Sequence, residues 1–209
     1  MPRTKSEQLE TQRREQLLVA TYSVFAKQGF AATSLADIAA AADFSKAMVI
    51  YYFKSKENLL VAAFEWITSG ILERLEACCL GLDAAEPMLR AQLEQLFIST
   101  RRNRRFYHVY LDFLAQSVHN TRLGGVTARF YTGCIRAVGA TITVGVQQGV
   151  FRPGVDPEEA ASVCGAMMDG LQMQWLFDRE ETFEDYRERC WRGWLALLNA
   201  PDRRNGRHE

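Results

Sequence analysis

Residues 29–60 read GFAATSLADIAAAADFSKAMVIYYFKSKENLL. Ser34-Leu35-Ala36-Asp37 has the form of a helix start, a hydroxyl N-cap with an acid three places on. Ser45 and Ser55 can open two more helices. The stretch therefore predicts a short helix from Ser34, a second over 45–52 and a long one from 55 to about 82. Ala42-Asp43-Phe44 makes the tight connection between the two short ones. Ile38, Ala39, Phe44, Val49 and Phe53 can form a small core against the preceding helix. That leaves Lys46, Ala47, Met48, Ile50 and Tyr51 pointing outward. A helix of barely two turns does not hold by itself, so its outer side is there to be presented.

The charges sharpen this reading. Lys46 follows the cap Ser45, and Lys56 follows the cap Ser55. Both place a cation at the positive end of a helix dipole, which is disfavoured by a few tenths of a kcal/mol. An anion bound to the free N–H groups of each helix start would remove the conflict. Two such starts flanking Tyr51-Tyr52 suit a clamp on two stretches of nucleic-acid backbone. The same residues also fit a solvated surface with incidental lysines, and the physics alone leaves both open.

Working outward, the preceding helix covers 6–28, with Leu17, Leu18, Thr21, Val24 and Phe25 on one face and Gly29 ending it. Downstream, helices are expected over 84–102 and 104–118. Thr141-Ile142-Thr143-Val144 reads locally as a strand. Yet Val126, Phe130, Cys134, Val138, Ile142, Val146 and Val150 recur every four residues over a window far longer than a usual strand, and a helix places them on one face with slight drift. Glycines at 133, 139, 145 and 149 weaken that helix and permit close approach of a neighbour or ligand. Asp156 with Pro157 at the first helical position and Glu159 opens the eighth helix. A ninth begins near Thr182, and 201–209 reads as a polar tail. The fold class is all-α with about nine helices: 1–54 a helix-turn-helix domain, 55–200 a larger helical bundle.

Charge is balanced over the whole chain, but residues 1–60 hold eight Lys or Arg against six Asp or Glu. So small a surplus carries no argument alone. Cys78, Cys79, Cys134, Cys164 and Cys190 lie in apolar helical patterns without a Cys-x-x-Cys pair, which suits reduced, buried thiols. The opening residues contain no apolar run, and no stretch approaches the ~18 uncharged apolar residues of a membrane span. A soluble cytoplasmic protein is expected.

Gly29-Phe30, Thr33-Ser34, Asp37-Ile38-Ala39, Ser45-Lys46 and the run from Tyr52 to Leu60 resemble, in order and spacing, the N-terminal signature of the tetracycline-repressor (TetR) family. A later stretch, Gly149 to Ala161 followed by Asp169-Gly170-Leu171, is similar to the branch containing betaine-synthesis repressors. The resemblance implies a ligand-responsive transcription regulator. Its third helix would enter the major groove of a palindromic operator while the first and the start of the fourth touch backbone. Carried across, Ser34, Tyr51, Tyr52 and Lys56 would bind phosphates, and Lys46, Ala47 and Ile50 would face bases with Met48 beside them. Three positions depart from the family pattern: Asp43 and Ala47 stand where glycine is usual, and Ile50 where tyrosine is usual. The operator sequence cannot be borrowed from a relative. Arg3 and Lys5 suit either a minor-groove arm or a disordered terminus.

The eighth helix is apolar almost all round, so one side can serve this subunit's core and another a partner. The resemblance implies a homodimer through the last two helices, and repression relieved when a small-molecule effector alters the spacing of the two reading heads. Candidate effector contacts are Phe106, Tyr110 and Phe113 on the sixth helix, and Met168, Asp169, Gln172 and Trp175 on the eighth. Plain core explains an aromatic stripe equally well. Asp169 inside an apolar run needs a partner, at a dimer seam or on a cationic ligand. A quaternary ammonium in an aromatic cage follows if the likeness extends to the ligand. His108, Asp112 and Gln116 form a polar stripe expected to face solvent, and Arg101-Arg102-Asn103-Arg104-Arg105 is expected to span the connection before the sixth helix. An enzyme is disfavoured: three histidines, no metal-ligand spacing and no phosphate-loop or nucleophile-elbow pattern predict no catalytic, metal or cofactor site. A helical small-molecule module without DNA binding is the remaining rival.

Overall fold

A computed structural model describes residues 5–199; Arg3 and the tail expected at 201–209 lie outside them. Nine helices and no strand occur among the described residues: α1 (Lys5–Ala32), α2 (Leu35–Ala41), α3 (Lys46–Phe53), α4 (Lys56–Ala77), α5 (Ala85–Leu96), α6 (Thr100–Ser117), α7 (Thr121–Gln147), α8 (Pro157–Phe177) and α9 (Phe183–Asn199). The all-α expectation holds. In α1 the helix proper stops where the sequence indicated, because Gly29 takes φ 75 and ψ 168 and kinks the chain. Asp156 caps α8 by accepting the N–H groups of Glu158 and Glu159, each at 3.0 Å.

Helix α7 runs unbroken through Thr141–Val144, so the four-residue period of apolar positions overrides the local strand preference of β-branched residues. Val126, Val138 and Ile142 are buried as that period requires. At Gly145 a side chain would run into the Phe151 ring, so this glycine admits a neighbour.

Three boundaries differ from expectation. Helix α4 ends at Ala77, not near 82, and the chain turns through Gly81 at φ 79. Helix α5 stops at Leu96 instead of 102, and α6 begins at Thr100 instead of 104. Asn103 explains the break. Its amide donates to Leu96 O at 2.5 Å, and its carbonyl oxygen accepts the Ser99 N–H at 3.3 Å, closing one helix and opening the next. The arginines at 101–105 therefore lie in the first turns of α6, not across a connection.

The described residues form two compact units. One holds the chain up to Gly70 with Arg105–Ala128, the other Ile71–Arg104 with the chain from Arg129 onward. The core of the first contains Leu17, Ile38, Val49, Leu59, Phe64 and Phe113, with the Phe64 and Phe113 rings stacked at 3.5 Å. The second is built around Leu89, Leu93, Ile142, Cys164, Cys190 and Trp194. There the Trp194 indole N–H donates to Cys164 O at 3.0 Å. All five cysteines are free thiols; Cys164 and Cys190 are buried, whereas Cys78, Cys79 and Cys134 are only half-buried. Burial pushes the Cys164 thiol up to about 12, so it is held protonated. Among the described residues no helix is long and apolar enough to cross a membrane.

Candidate nucleic-acid interface

The first unit builds its exposed motif from three caps. Ser34 and Asp37 form a reciprocal capping box: Ser34 Oγ accepts the Asp37 N–H at 3.2 Å, and the Asp37 carboxylate accepts the Ser34 N–H at 2.7 Å. The Ser34 backbone donor first and its hydroxyl second hold the Asp37 carboxyl below its ordinary range. Ser34 is exposed, and its hydroxyl has one proton, so a phosphate held there takes that proton in place of the Asp37 carboxylate. After α2 the chain reverses through Asp43 at φ 57. Aspartate thus occupies the left-handed conformation for which glycine is usual, as its short polar side chain permits.

Ser45 then opens α3 by accepting the Met48 N–H at 3.2 Å. Val49 and Phe53 are buried, and the Arg14 guanidinium covers the Phe53 ring at 4.7 Å. Lys46, Ala47, Ile50 and Tyr51 are exposed, with Tyr51 at 62%; Met48 and Tyr52 are half-buried. Helix α3 has no acid in its first turn. Among the described residues Lys46 has no ion pair or hydrogen bond from its ammonium group. A cation and unpaired first-turn N–H groups thus share an exposed helix start whose first turn carries no acid.

Lys56 is placed differently. Its ammonium group donates to Phe30 O at 2.5 Å and lies 4.1 Å from the centre of the Phe30 ring. It is half-buried and tethered, though an ammonium carries three donors and the carbonyl takes one. The Phe30 peptide is gripped on its other side as well, since its N–H donates to Asp112 Oδ2 at 2.5 Å. Asp112 therefore does not face solvent as the sequence suggested: it is half-buried and spent on the peptide after the Gly29 kink. The first turn of α4 is tied further by Glu57 accepting from Asn120 at 2.7 Å and Asn58 accepting from Arg122 at 2.8 Å.

Sequence reasoning missed Lys54, which ends α3 at φ 66 and returns its ammonium group to Tyr51 O at 2.8 Å. A positive φ at lysine leaves no compositional signal. It missed the Phe30–Lys56–Asp112 arrangement because the partners are far apart in the chain.

The residues expected at an effector fall in both units. In the first, Phe106 stacks on Tyr110 at 5.3 Å, and Tyr110 stacks on Phe64 at 6.1 Å. Phe113 completes this aromatic column on Phe64. In the second, Gln172 is buried; its carbonyl oxygen accepts from Asn103 at 2.6 Å and its amide donates to Leu96 O at 3.1 Å. Trp175 packs on Phe183 at 4.7 Å and carries the Arg104 guanidinium at 4.9 Å. Asp169 accepts the Tyr131 hydroxyl at 3.2 Å, and Met168 is half-buried against the core. Among the described residues no three His, Cys, Asp or Glu side chains come together to hold a metal.

Residues 17–63 match the family described as bacterial regulatory proteins of the tetR family, and residues 85–199 match the BetI-type transcriptional repressor C-terminal region. The chain is 28% identical over 184 residues to the transcriptional regulator TtgR of Pseudomonas putida, covering 83% of this chain and 84% of that one. It is 34% identical over 114 residues to BetI of Cronobacter sakazakii, covering 54% and 56% respectively. A transcriptional regulator from Saccharomonospora viridis, solved in complex with choline, superposes with a TM-score of 0.79 at 24% identity, over 86% of this chain and 94% of that one. With more than half its length matched by the C-terminal family model and its helix-turn-helix segment by the N-terminal one, the chain belongs to the TetR family of transcriptional regulators.

Proposed function

We propose that this chain is a repressor that occupies a palindromic operator as a homodimer and leaves it on binding a small molecule. The observation that carries the DNA-binding part is the exposed face of α3, where Lys46 stands unpaired at a helix start without an acid. In this reading Lys46 donates to guanine, while Ala47, Ile50 and the edge of Met48 meet thymine methyl groups. Ser34, Tyr51, Tyr52 and the remaining Lys56 donors hold phosphates. Residues 1–54 supply the reading head, and 55–200 the effector and dimer functions.

The dimer reading is supported by α8. Val163, Ala166, Met173 and Phe177 lie three, seven and four residues apart, on one side of the helix, and stay exposed in the protomer, Phe177 at 81%. An apolar stripe of this kind suits a second copy related by a two-fold axis. The effector reading rests on the BetI-type match and on the choline-bound relative. A small-molecule module that never meets DNA would leave the bare Lys46 face without a use.

Selection of tight binders from a random duplex pool, followed by titration across salt, tests the proposal. A recovered inverted repeat, and an affinity falling steeply as salt rises, are the expected results. Failure to enrich any sequence, with salt-insensitive weak binding, would overturn it.

A further inference from the structure

Beyond Ala77, helix α4 runs out through two adjacent cysteines, Cys78 and Cys79, into a turn whose next residues, Leu80 and Gly81, are exposed. The Cys78 N–H still reaches back four residues to Arg74 O at 3.0 Å. The Cys79 N–H instead takes Glu76 O at 3.3 Å, a three-residue step. That tightening leaves Leu75 O to the thiols, with Cys78 Sγ at 3.3 Å and Cys79 Sγ at 3.8 Å. Neighbouring residues on a helix normally point apart. Sharing one carbonyl brings these two sulfurs to 4.0 Å. Both are half-buried, whereas Cys164 and Cys190 are buried. Consecutive Cα atoms are about 3.8 Å apart, short of the roughly 4.4–6.8 Å of ordinary disulfides, so the pair does not readily close on itself. Burial first and the neighbouring Cys79 second push the Cys78 thiol up to about 12. It is held protonated, a poor nucleophile toward reagents that need a thiolate.

We propose that Cys78 and Cys79 form a chelating dithiol site for a trivalent arsenical that carries one carbon substituent. In water such a centre is a dihydroxy species, with two exchangeable oxygens to be replaced by two sulfurs. Each thiol bonds through its sulfur to arsenic, and a hydroxide leaves with the thiol's proton as water. Two S–H and two As–O bonds break, two S–As and two O–H bonds form, and arsenic stays trivalent throughout. The departing hydroxide takes the proton that burial holds on Cys78, so no free thiolate has to accumulate. The second S–As bond closes within the chain, at the high effective concentration of a sulfur 4.0 Å away. An arsenic atom between the sulfurs also widens the ring that a direct S–S link would make too tight. Metal ions that need three or four ligands are not served, because among the described residues no three His, Cys, Asp or Glu side chains gather. Inorganic arsenite, with three exchangeable oxygens, would keep one of them unreplaced. The site stands apart from the DNA and effector readings and needs neither.

The probe is phenylarsine oxide, mixed with the full reduced chain and followed by intact mass spectrometry, with arsenite in parallel. A single phenylarsenic adduct per chain is expected. It should survive an excess of the monothiol 2-mercaptoethanol and be stripped by the dithiol 2,3-dimercaptopropanol, since only a chelator competes with a chelate. Arsenite should be displaced by the monothiol, for want of a third sulfur. Because the two cysteines are adjacent in sequence, the adduct should outlast unfolding. Alkylation of the denatured adduct and peptide mapping should then find Cys78 and Cys79 blocked together and Cys134, Cys164 and Cys190 modified. That map uses the unaltered chain, so it holds whatever a substitution does to folding. Cys78→Ser and Cys79→Ser should each lose the monothiol-resistant adduct, and Cys134→Ser should keep it. The inference is overturned if no adduct resists the monothiol, or if the blocked residues are other cysteines. Persistence of the resistant adduct in either Cys78→Ser or Cys79→Ser, its loss in Cys134→Ser, or arsenite held as firmly as the phenyl compound would equally contradict it.

Discussion

Helices α3 and α8 begin in the same way and end up doing opposite things. Both start on a polar side chain that accepts first-turn N–H groups, Ser45 in one and Asp156 in the other. Helix α8 then places Glu158 and Glu159 at its positive end, while α3 places Lys46 there and no acid at all. The first start is electrostatically complete within the chain. The second is complete only when something negative arrives. The contrast also appears in length, since α8 has 21 residues and α3 has eight. A helix start that the chain leaves unbalanced, on an element too short to persist alone, marks where a partner belongs.

The largest effect should come from completing the α3 start within the chain, with an acid where the cation stands. Lys46→Glu should weaken operator binding by roughly 3 kcal/mol or more, as a base contact of about 1–3 kcal/mol is replaced by repulsion from phosphate. Fluorescence anisotropy on the selected operator reads the loss; the unfolding midpoint should not fall, because Lys46 is exposed and unpaired and an acid suits that helix end. Next in size is the support behind the reading head. Asp112→Ala leaves the half-buried Phe30 N–H without an acceptor and should cost roughly 1–3 kcal/mol of stability in a denaturant titration. Asp112→Asn keeps an acceptor and should cost much less.

Removing the balance at the other helix start should be milder and of a different kind. Asp156→Ala should lower stability by about 1 kcal/mol, the usual value of an N-cap, without changing operator affinity measured on folded protein. Loss of affinity from Asp156→Ala comparable to that from Lys46→Glu would remove the contrast between α3 and α8.

Much of this was legible in the chain. The three caps at Ser34, Ser45 and Ser55 announce the motif through hydroxyl positions alone, and the inward set Ile38, Val49 and Phe53 follows from spacing. A break between α5 and α6 was legible but its place was not, because apolar spacing continues across Leu96 and Phe97. What interrupts it is Asn103 reaching back to Leu96 and Ser99, a contact between side chain and backbone. The Lys56 ammonium also escaped prediction. At sequence level it looked equivalent to Lys46, whereas the fold lays it on Phe30 and leaves only Lys46 bare.

The smallest predicted effect concerns acid. Asp37 titrates below its unfolded value because Ser34 binds its charged form. Its contribution is therefore present above the unfolded carboxyl range and is lost as pH falls through the depressed folded value. Asp37→Asn should flatten the decline of the melting temperature below about pH 4, where the ordinary aspartate value lies. An unchanged slope would mean that the capping box does not sharpen α2 in solution.

Amide hydrogen exchange with and without the selected operator tests most directly where the molecule meets DNA. The account predicts slowed exchange in α3 and at the starts of α2 and α4, with the Glu158–Ala160 amides of α8 unchanged. Protection that leaves 45–56 untouched and gathers elsewhere would contradict it.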